Sequence, residues 1–405
     1  MKLLAVTYGT EGDTRPLAVL CRALKEAGHD VMLLAGGQTL DSAAASGVRT
    51  AALKGNIRDQ LESLVSGGKG VGATAAGLAR MANAHTEDWM RQLAEHARDC
   101  DALLVSGLAA FAGLSVAEHF NIRAIGAGLI PISPTRAFPS PFLPAARIPQ
   151  AFNRLSHHMV NGLVWRAFRK ATNQARRRVL ALPSRRRLWS DHPMLYGVSP
   201  CLLPQPRDWP AHTRLCGQWT GPLRPWTPPS GLQDFLDAGE APIYIGFGSM
   251  VGFDRETVLR TMLDAAAGRR VLLYPGWAGL PDGVLPDNVY VLGDTPHDWL
   301  FPRTSLVIHH GGSGTAHSAC RAGVPSVVVP FAGDQAFWAH QLRRLGVAAT
   351  PLKAKGLSQA GLESAIAFAQ RAETRQRAQA LGRQMAKDAG TATAVAEIEA
   401  IARLG

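Results

Sequence analysis

The stretch Val307-Ile308-His309-His310-Gly311-Gly312-Ser313-Gly314-Thr315 decides the fold of this chain. It opens on a short apolar run with no polar alternation, which fits a parallel strand buried on both faces. Three glycines follow and allow the backbone to approach a ligand closely. A helix is expected to begin near Thr315. Its first N–H groups, unpaired and at the positive end of the helix dipole, suit an anion such as a diphosphate. His310 can add a ring N–H to a phosphate oxygen. Taken alone, the stretch leaves two readings open: a phosphate loop, or a tight turn with two packing histidines.

Outward from this loop the same grammar repeats. Apolar runs at 2–7, 31–35 and 102–106, and again at 242–247, 270–274, 289–292, 306–309 and 326–330, alternate with helical patterns such as Leu17, Leu20 and Leu24. At roughly 150 residues per domain, 405 residues predict two to three units. The Pro-rich stretch 221–231 reads as a linker. The expected fold class is α/β, two Rossmann-like, doubly wound parallel-sheet domains facing across a cleft. The expected division is 1–220, a linker and entry at 221–240, a second domain at 241–385, and a C-terminal helix within 386–405 packing back on the first domain. Ligands of such sheets sit at the carboxyl ends of the strands.

Composition narrows the class. An apolar fraction of 46% is that of a globular chain, and a formal net charge of +12 admits nucleic acid, an anionic membrane or a phosphate-bearing ligand. Five scattered cysteines (Cys21, Cys100, Cys201, Cys216, Cys320) form no C-x-x-C pair, so neither a disulfide framework nor a zinc site is expected. The longest charge-free stretch, 102–117, is too short to span a bilayer, and the N-terminus reads as a first strand rather than a secretory signal. A soluble, cytoplasmic protein is expected. Segment 151–188 packs arginines with Leu155, Met159, Leu163, Trp165 and Phe168, and fits a basic amphipathic helix followed by a basic hairpin. A solvated outer helix, docking to an anionic membrane and nucleic-acid binding are its three readings. No nucleic-acid fold motif accompanies the charge, and nucleic acid is not expected as a partner.

Downstream of the glycine loop, Arg321-Ala322-Gly323-Val324-Pro325-Ser326-Val327-Val328-Val329-Pro330-Phe331 leads into Ala332-Gly333-Asp334-Gln335-Ala336-Phe337-Trp338. Asp334 and Gln335 lie just past a strand, on the same sheet edge as the loop, and supply the acceptor and donor that read sugar hydroxyls. Upstream stands Pro296-His297-Asp298-Trp299-Leu300-Phe301. With Gly246-Phe247-Gly248-Ser249-Met250, and with Tyr8-Gly9-Thr10-Glu11-Gly12-Asp13-Thr14-Arg15-Pro16 near the start, these runs resemble the family 1, GT-B-fold glycosyltransferases. The resemblance is to their sterol 3-β-glucosyltransferase branch, shared with bacterial macrolide and glycopeptide glycosyltransferases, and it extends over nearly the whole chain. It implies that His310 binds a donor diphosphate with Gly312, Ser313, Gly314 and Thr315, and that Ser249 touches the phosphate from the facing loop. It also implies that Asp334 and Gln335 hold the sugar. The uracil-stacking Trp of plant relatives corresponds to Asp294 here, and their ribose-binding Glu to Ser318. Trp277, Thr295 and His297 remain as nucleoside contacts, with Trp277 equally readable as a core tryptophan.

Glycosyl transfer needs a base for the acceptor hydroxyl. In Gly12-Asp13-Thr14-Arg15-Pro16 a carboxylate occupies the slot where plant relatives have histidine, and the plant orienting Asp is replaced by Ser106 and Gly107. Asp13 is the expected base, its rival reading being an N-cap before a helix starting near Pro16; Glu11 is a second candidate. Asp99-Cys100-Asp101 matches a metal-binding D-x-D pattern but precedes its strand, so no catalytic metal and no cofactor are expected. Gly67-Gly68-Lys69-Gly70 lacks the Ser or Thr of a P-loop and reads as an acceptor-side loop. Thr10, Ile130, Phe138 and Phe142 are the acceptor candidates. The expected activity is an inverting, metal-independent transfer of a hexose from a UDP-sugar to a lipophilic, sterol-like acceptor. A TDP-sugar-dependent natural-product glycosyltransferase, a nucleotide-sugar epimerase and a non-enzymatic membrane-binding protein are the rivals. The expected partners are the nucleotide-sugar donor, the acceptor and an anionic membrane surface.

Overall fold

The structure is a computed structural model and describes residues 1–57, 71–221, 225–248, 254–266, 268–277, 279–280 and 283–403. Two parallel sheets organise these residues. The first runs β3 (Arg49–Leu53), β2 (Asp30–Gly36), β1 (Lys2–Val6), β4 (Ala102–Val105), β5 (Arg123–Gly128), β6 (Met194–Tyr196), β7 (Thr213–Leu215). The second runs β10 (Val289–Val291), β9 (Val271–Tyr274), β8 (Ile243–Gly246), β11 (Leu306–His309), β12 (Ser326–Val328). This is the doubly wound, two-domain α/β architecture the sequence predicts.

The apolar runs are continuous because both faces of each sheet are covered. In β1, Leu4 and Val6 enter one buried cluster while Leu3 and Ala5 enter the one behind the sheet. The same two-residue alternation splits β8, where Ile243 and Ile245 face one layer and Tyr244 the other. Strand order reverses between β1 and β4 in the first sheet and between β8 and β11 in the second. The crevice of each domain therefore opens at the carboxyl ends of those strands.

The helices that build the site are α1 (Glu11–Glu26), α2 (Val71–Ala97), α3 (Ala110–Phe120), α4 (Asn153–Leu180), α5 (Ser313–Arg321), α6 (Gln335–Arg344) and α7 (Thr391–Arg403). Two starts differ from expectation. Helix α1 begins at Glu11 and carries Pro16 inside it, and α5 begins at Ser313 with Gly312 as its N-cap. The 151–188 segment is helical only to Leu180. Ala181 takes a left-handed conformation (φ 53°), and the backbone beyond is irregular rather than a hairpin.

An apolar cluster joins the domains. Phe138, Tyr196, Val198 and Trp209 from the first pack with Phe337, Trp338 and Ala316 from the second, and the Phe138 and Phe337 rings lie 5.5 Å apart. Helix α7 returns to the first domain, burying Ala394, Ile398 and Ile401 against Leu17, Leu20 and Leu24. His29 Nε2 lies 3.0 Å from Glu399, and Arg214 pairs with Glu397 at 3.4 Å.

Candidate active site

Asp13 stands in the first turn of α1, at the carboxyl edge of β1. Its Oδ2 accepts from the Thr10 N–H (2.8 Å) and from the Thr10 hydroxyl (3.3 Å). Thr10 is therefore the N-cap and Asp13 its partner one turn on. Oδ1 takes no hydrogen bond among the described residues and is left for a ligand. Gly9 makes this geometry possible, since a Cβ there would fall 2.2 Å from Oδ2. Burial raises the Asp13 pKa above the ordinary carboxylate value, against the pull of the two Thr10 hydrogen bonds. The second candidate, Glu11, accepts from Arg15 Nε (2.9 Å) and the Ser42 hydroxyl (2.7 Å). That engagement turns it away from base chemistry. The guanidinium of Arg15 reaches on across the cleft to both oxygens of Asp294, at 3.0 and 2.7 Å.

Opposite stands the second domain's glycine loop. Gly311 adopts φ +91°, and a Cβ there would meet Val328 and the Gln335 carbonyl at 2.8 and 2.9 Å, so only glycine fits. The N–H groups of Ser313, Gly314 and Thr315 form the open first turn of α5. The Ser313 hydroxyl itself donates to the Leu129 carbonyl of the facing domain (3.1 Å), which leaves this residue its backbone N–H for an anion. His310 has a buried Nδ1 without a partner among the described residues. Burial, with His297 nearby, lowers its pKa to about 4, so it is neutral and offers an N–H rather than a charge. Its neighbour His309 accepts from Gly311 N–H through Nδ1 (3.1 Å), which shapes the loop.

Asp334 caps α6 and accepts from Trp338 Nε1 at 2.6 Å. Burial pushes its pKa up to about 6, with a further upward contribution from the negative charge of Asp13. The structure thus brings Asp13 and Asp334 within electrostatic reach across the cleft. Gln335 is buried, and its Oε1 accepts from the N–H groups of Phe331 (2.7 Å) and Ala332 (3.0 Å), which holds the loop that presents Asp334.

The remaining candidates are placed unevenly. His297 stacks on Phe301 at 4.2 Å, beside the Arg15–Asp294 pair. The Thr295 hydroxyl donates to the Gly293 carbonyl. Trp277 crosses the cleft to pack on the apolar cluster of the first domain. Ser318 accepts from Gln218 Nε2 at 3.1 Å. Ile130 is half-buried and Phe142 exposed. Phe138 corrects the expectation of an acceptor wall: it is 6% exposed and packs against His157, Trp209 and Phe337 in the interdomain core. Ser249, Gly67, Gly68, Lys69 and Gly70 lie outside the described residues. Asp99 and Asp101 stand at the amino edge of the sheet and are paired there with Lys2. No three His, Cys, Asp or Glu side chains among the described residues group as a metal site. Sequence reasoning missed Arg15, whose signal was an acid four residues before it on one helix face.

Comparison with known proteins shows what the chain is similar to. Residues 272–401 match the family described as the erythromycin biosynthesis protein CIII-like C-terminal domain. A sterol 3-beta-glucosyltransferase of Kluyveromyces lactis is 30% identical over 417 residues, covering 97% of this chain and 34% of that protein. One of Cryptococcus neoformans is 31% identical, covering 98% and 27%. The chain thus spans about a third of the length of the curated relatives it matches. Among solved structures, the glycosyltransferase VinC in complex with dTDP superposes with a TM-score of 0.70 at 18% identity, covering 100% of both chains. SnogD from Streptomyces nogalater superposes with a TM-score of 0.64 at 20% identity, covering 99% of both. These likenesses establish the GT-B fold.

Proposed function

Because the chain belongs to the GT-B-fold, family 1 glycosyltransferases, we propose that it transfers glucose from UDP-glucose to a hydroxyl of a lipophilic, polycyclic acceptor of the sterol type. One observation carries this reading. Asp13 from one domain and Asp334 from the other face the cleft beside a helix start built for an anion, and the negative charge of Asp13 adds to the burial that raises the Asp334 pKa. A hydroxyl held on Asp13 Oδ1 attacks the anomeric carbon of the donor sugar, and its proton passes to Asp13 as the new C–O bond forms. The bond between that carbon and the diphosphate breaks, and its electron pair leaves with the nucleoside diphosphate. Attack opposite the leaving group turns an α-linked donor into a β-glycoside.

The leaving diphosphate gathers charge where the N–H groups of Ser313, Gly314 and Thr315 and the His310 ring point, so fixed dipoles receive it. Asp334 accepts from the sugar hydroxyls, and Gln335 keeps its loop in place. Asp13→Asn tests the base. UDP should still raise the melting temperature, while glycoside formation, followed by mass spectrometry, should fall by about 10²–10⁴-fold. Full retained turnover would remove Asp13 from the role.

A second reading has its own support, in the match to the erythromycin-type family and in a structural neighbour solved with dTDP. Under it, the donor is a dTDP-sugar and the acceptor a macrolide or polyphenol. A thermal-shift panel of UDP- and dTDP-sugars separates the two by the size of the stabilisation.

A further inference from the structure

Residues 119–190 hold 13 Lys and Arg and no Asp or Glu, while the rest of the chain is balanced, with 30 Lys and Arg against 31 Asp and Glu. The structure sorts these cations. Arg176 is buried and forms a two-pronged pair with Glu118 at 2.8 and 3.1 Å; Arg185 shares that carboxylate, and Trp189 lies under both guanidinium groups. They are structural. Arg166, Arg169 and Lys170 on α4 are exposed and make no ion pair with a described residue.

The outward face of α4 also carries an apolar row. Leu155, Met159 and Leu163, four residues apart, are 60%, 50% and 56% exposed, and Phe152 precedes them at 54%. Seven of the ten exposed large apolar side chains among the described residues fall between Ile132 and Val164. The opposite face of α4 grips the loop 132–140. His157 lies within hydrogen-bond distance of the Ile132 and Phe138 carbonyls, Asn153 donates to the Arg136 carbonyl, and Ser156 Oγ accepts from the Ser140 N–H.

We propose that this face docks on an anionic lipid bilayer, with Leu155, Met159 and Leu163 entering the headgroup region and Arg166, Arg169 and Lys170 resting on lipid phosphates. Charge complementarity selects the occupant. A row of apolar side chains on a helix whose charged residues are all cations needs a surface that is negative and apolar together, over an extended area, and an anionic bilayer supplies both. A second copy of the same face would bring like charges together. Docked in this way, α4 sets the loop 132–140 against the lipid phase.

The test is vesicle flotation without donor or acceptor, so that its outcome is separate from that of the proposed reaction. The protein should float with vesicles of phosphatidylcholine mixed with phosphatidylglycerol and not with phosphatidylcholine alone, and high salt should release it. Combining Arg166→Glu, Arg169→Glu and Lys170→Glu should weaken partitioning by about a hundredfold or more. That variant should keep its turnover on a water-soluble acceptor. Leu155→Ser with Leu163→Ser should also release the protein, and a polarity-sensitive dye on Met159→Cys should shift to the blue on anionic vesicles. Failure to float with anionic vesicles at low salt, flotation unchanged in the charge-reversed variant, or a dye that stays in water overturns the proposal. Light scattering that finds a concentration-dependent dimer in place of vesicle binding overturns it as well, and assigns the row to a second copy.

Discussion

At the scale of single residues, the pH response of donor binding isolates Asp334. Its carboxyl titrates at about 6 instead of near 3.8 because it is buried and faces Asp13. As pH falls through that value the ionised acceptor is lost, so donor affinity should weaken several-fold between about pH 7 and pH 5. Calorimetry with UDP-glucose on Asp13→Asn should show the same limb moved to lower pH, since one of its two upward causes is gone. An unmoved limb would mean that the carboxylates do not communicate. The placement of Asp13 was legible in the sequence, because a fixed spacing after β1 puts it at the sheet's carboxyl edge. The engagement of Ser313 with Leu129 and of Phe138 with Phe337 was not. Those partners lie 184 and 199 positions away, and no local pattern encodes them.

At the scale of elements, the glycine loop has little tolerance. Gly311 sits at positive φ with Val328 and the Gln335 carbonyl under 3 Å from where a Cβ would be. Gly311→Ala should therefore displace the loop and α5 together, costing about 1–3 kcal/mol of stability and abolishing UDP-induced thermal stabilisation; retention of that stabilisation would show that the loop does not hold the donor. The central strands were legible as continuous apolar runs. The strands β3, β5, β6 and β7 were not, since runs such as Arg49-Thr50-Ala51-Ala52-Leu53 and Thr213-Arg214-Leu215 are short and broken by polar residues, with Leu53 alone buried in the first and Arg214 exposed in the second. The sheet recruits them by supplying backbone partners. The start of α1 was misplaced because Pro16 reads as a first-turn proline, whereas Thr10 and Asp13 cap the helix five residues earlier.

At the scale of the molecule, the second domain carries a set of buried neutral histidines. Burial lowers His297, His310 and His317 to about 4 and His309 to about 3. In the unfolded chain each titrates near 6.5, so between about pH 6.5 and pH 4 the unfolded state binds more protons, and stability falls as pH falls. Each contributes up to about 1.4 kcal/mol per pH unit in that window. Asp334 and Asp13 act in the opposite direction, because burial raises both carboxyls and so costs stability where they are ionised, but they are two groups against four. The urea midpoint should drop steeply from about pH 7 to pH 5, and His309→Gln should flatten the slope. A midpoint independent of pH would refute this account. The two-domain architecture was legible from strand grammar, while the proline-rich stretch 221–231 lies partly outside the described residues. How the halves touch was not, because the Arg15–Asp294 bridge and the Phe138–Phe337 contact join residues that carry no mutual signal in one sequence.

The return of α7 to the first domain has a consequence for biosynthesis. A ribosome delivers the first domain's strands and helices hundreds of residues before Ala394, Ile398 and Ile401, yet those three side chains cover Leu17, Leu20 and Leu24. The nascent first domain must wait with an apolar seam uncovered until α7 emerges, which is a window for chaperone capture or aggregation. A chain stopped after Met385 should collect in inclusion bodies, and a synthetic 386–405 peptide supplied in trans during refolding should recover soluble protein. If the shortened chain folds as well as the full one, the seam closes without its last helix.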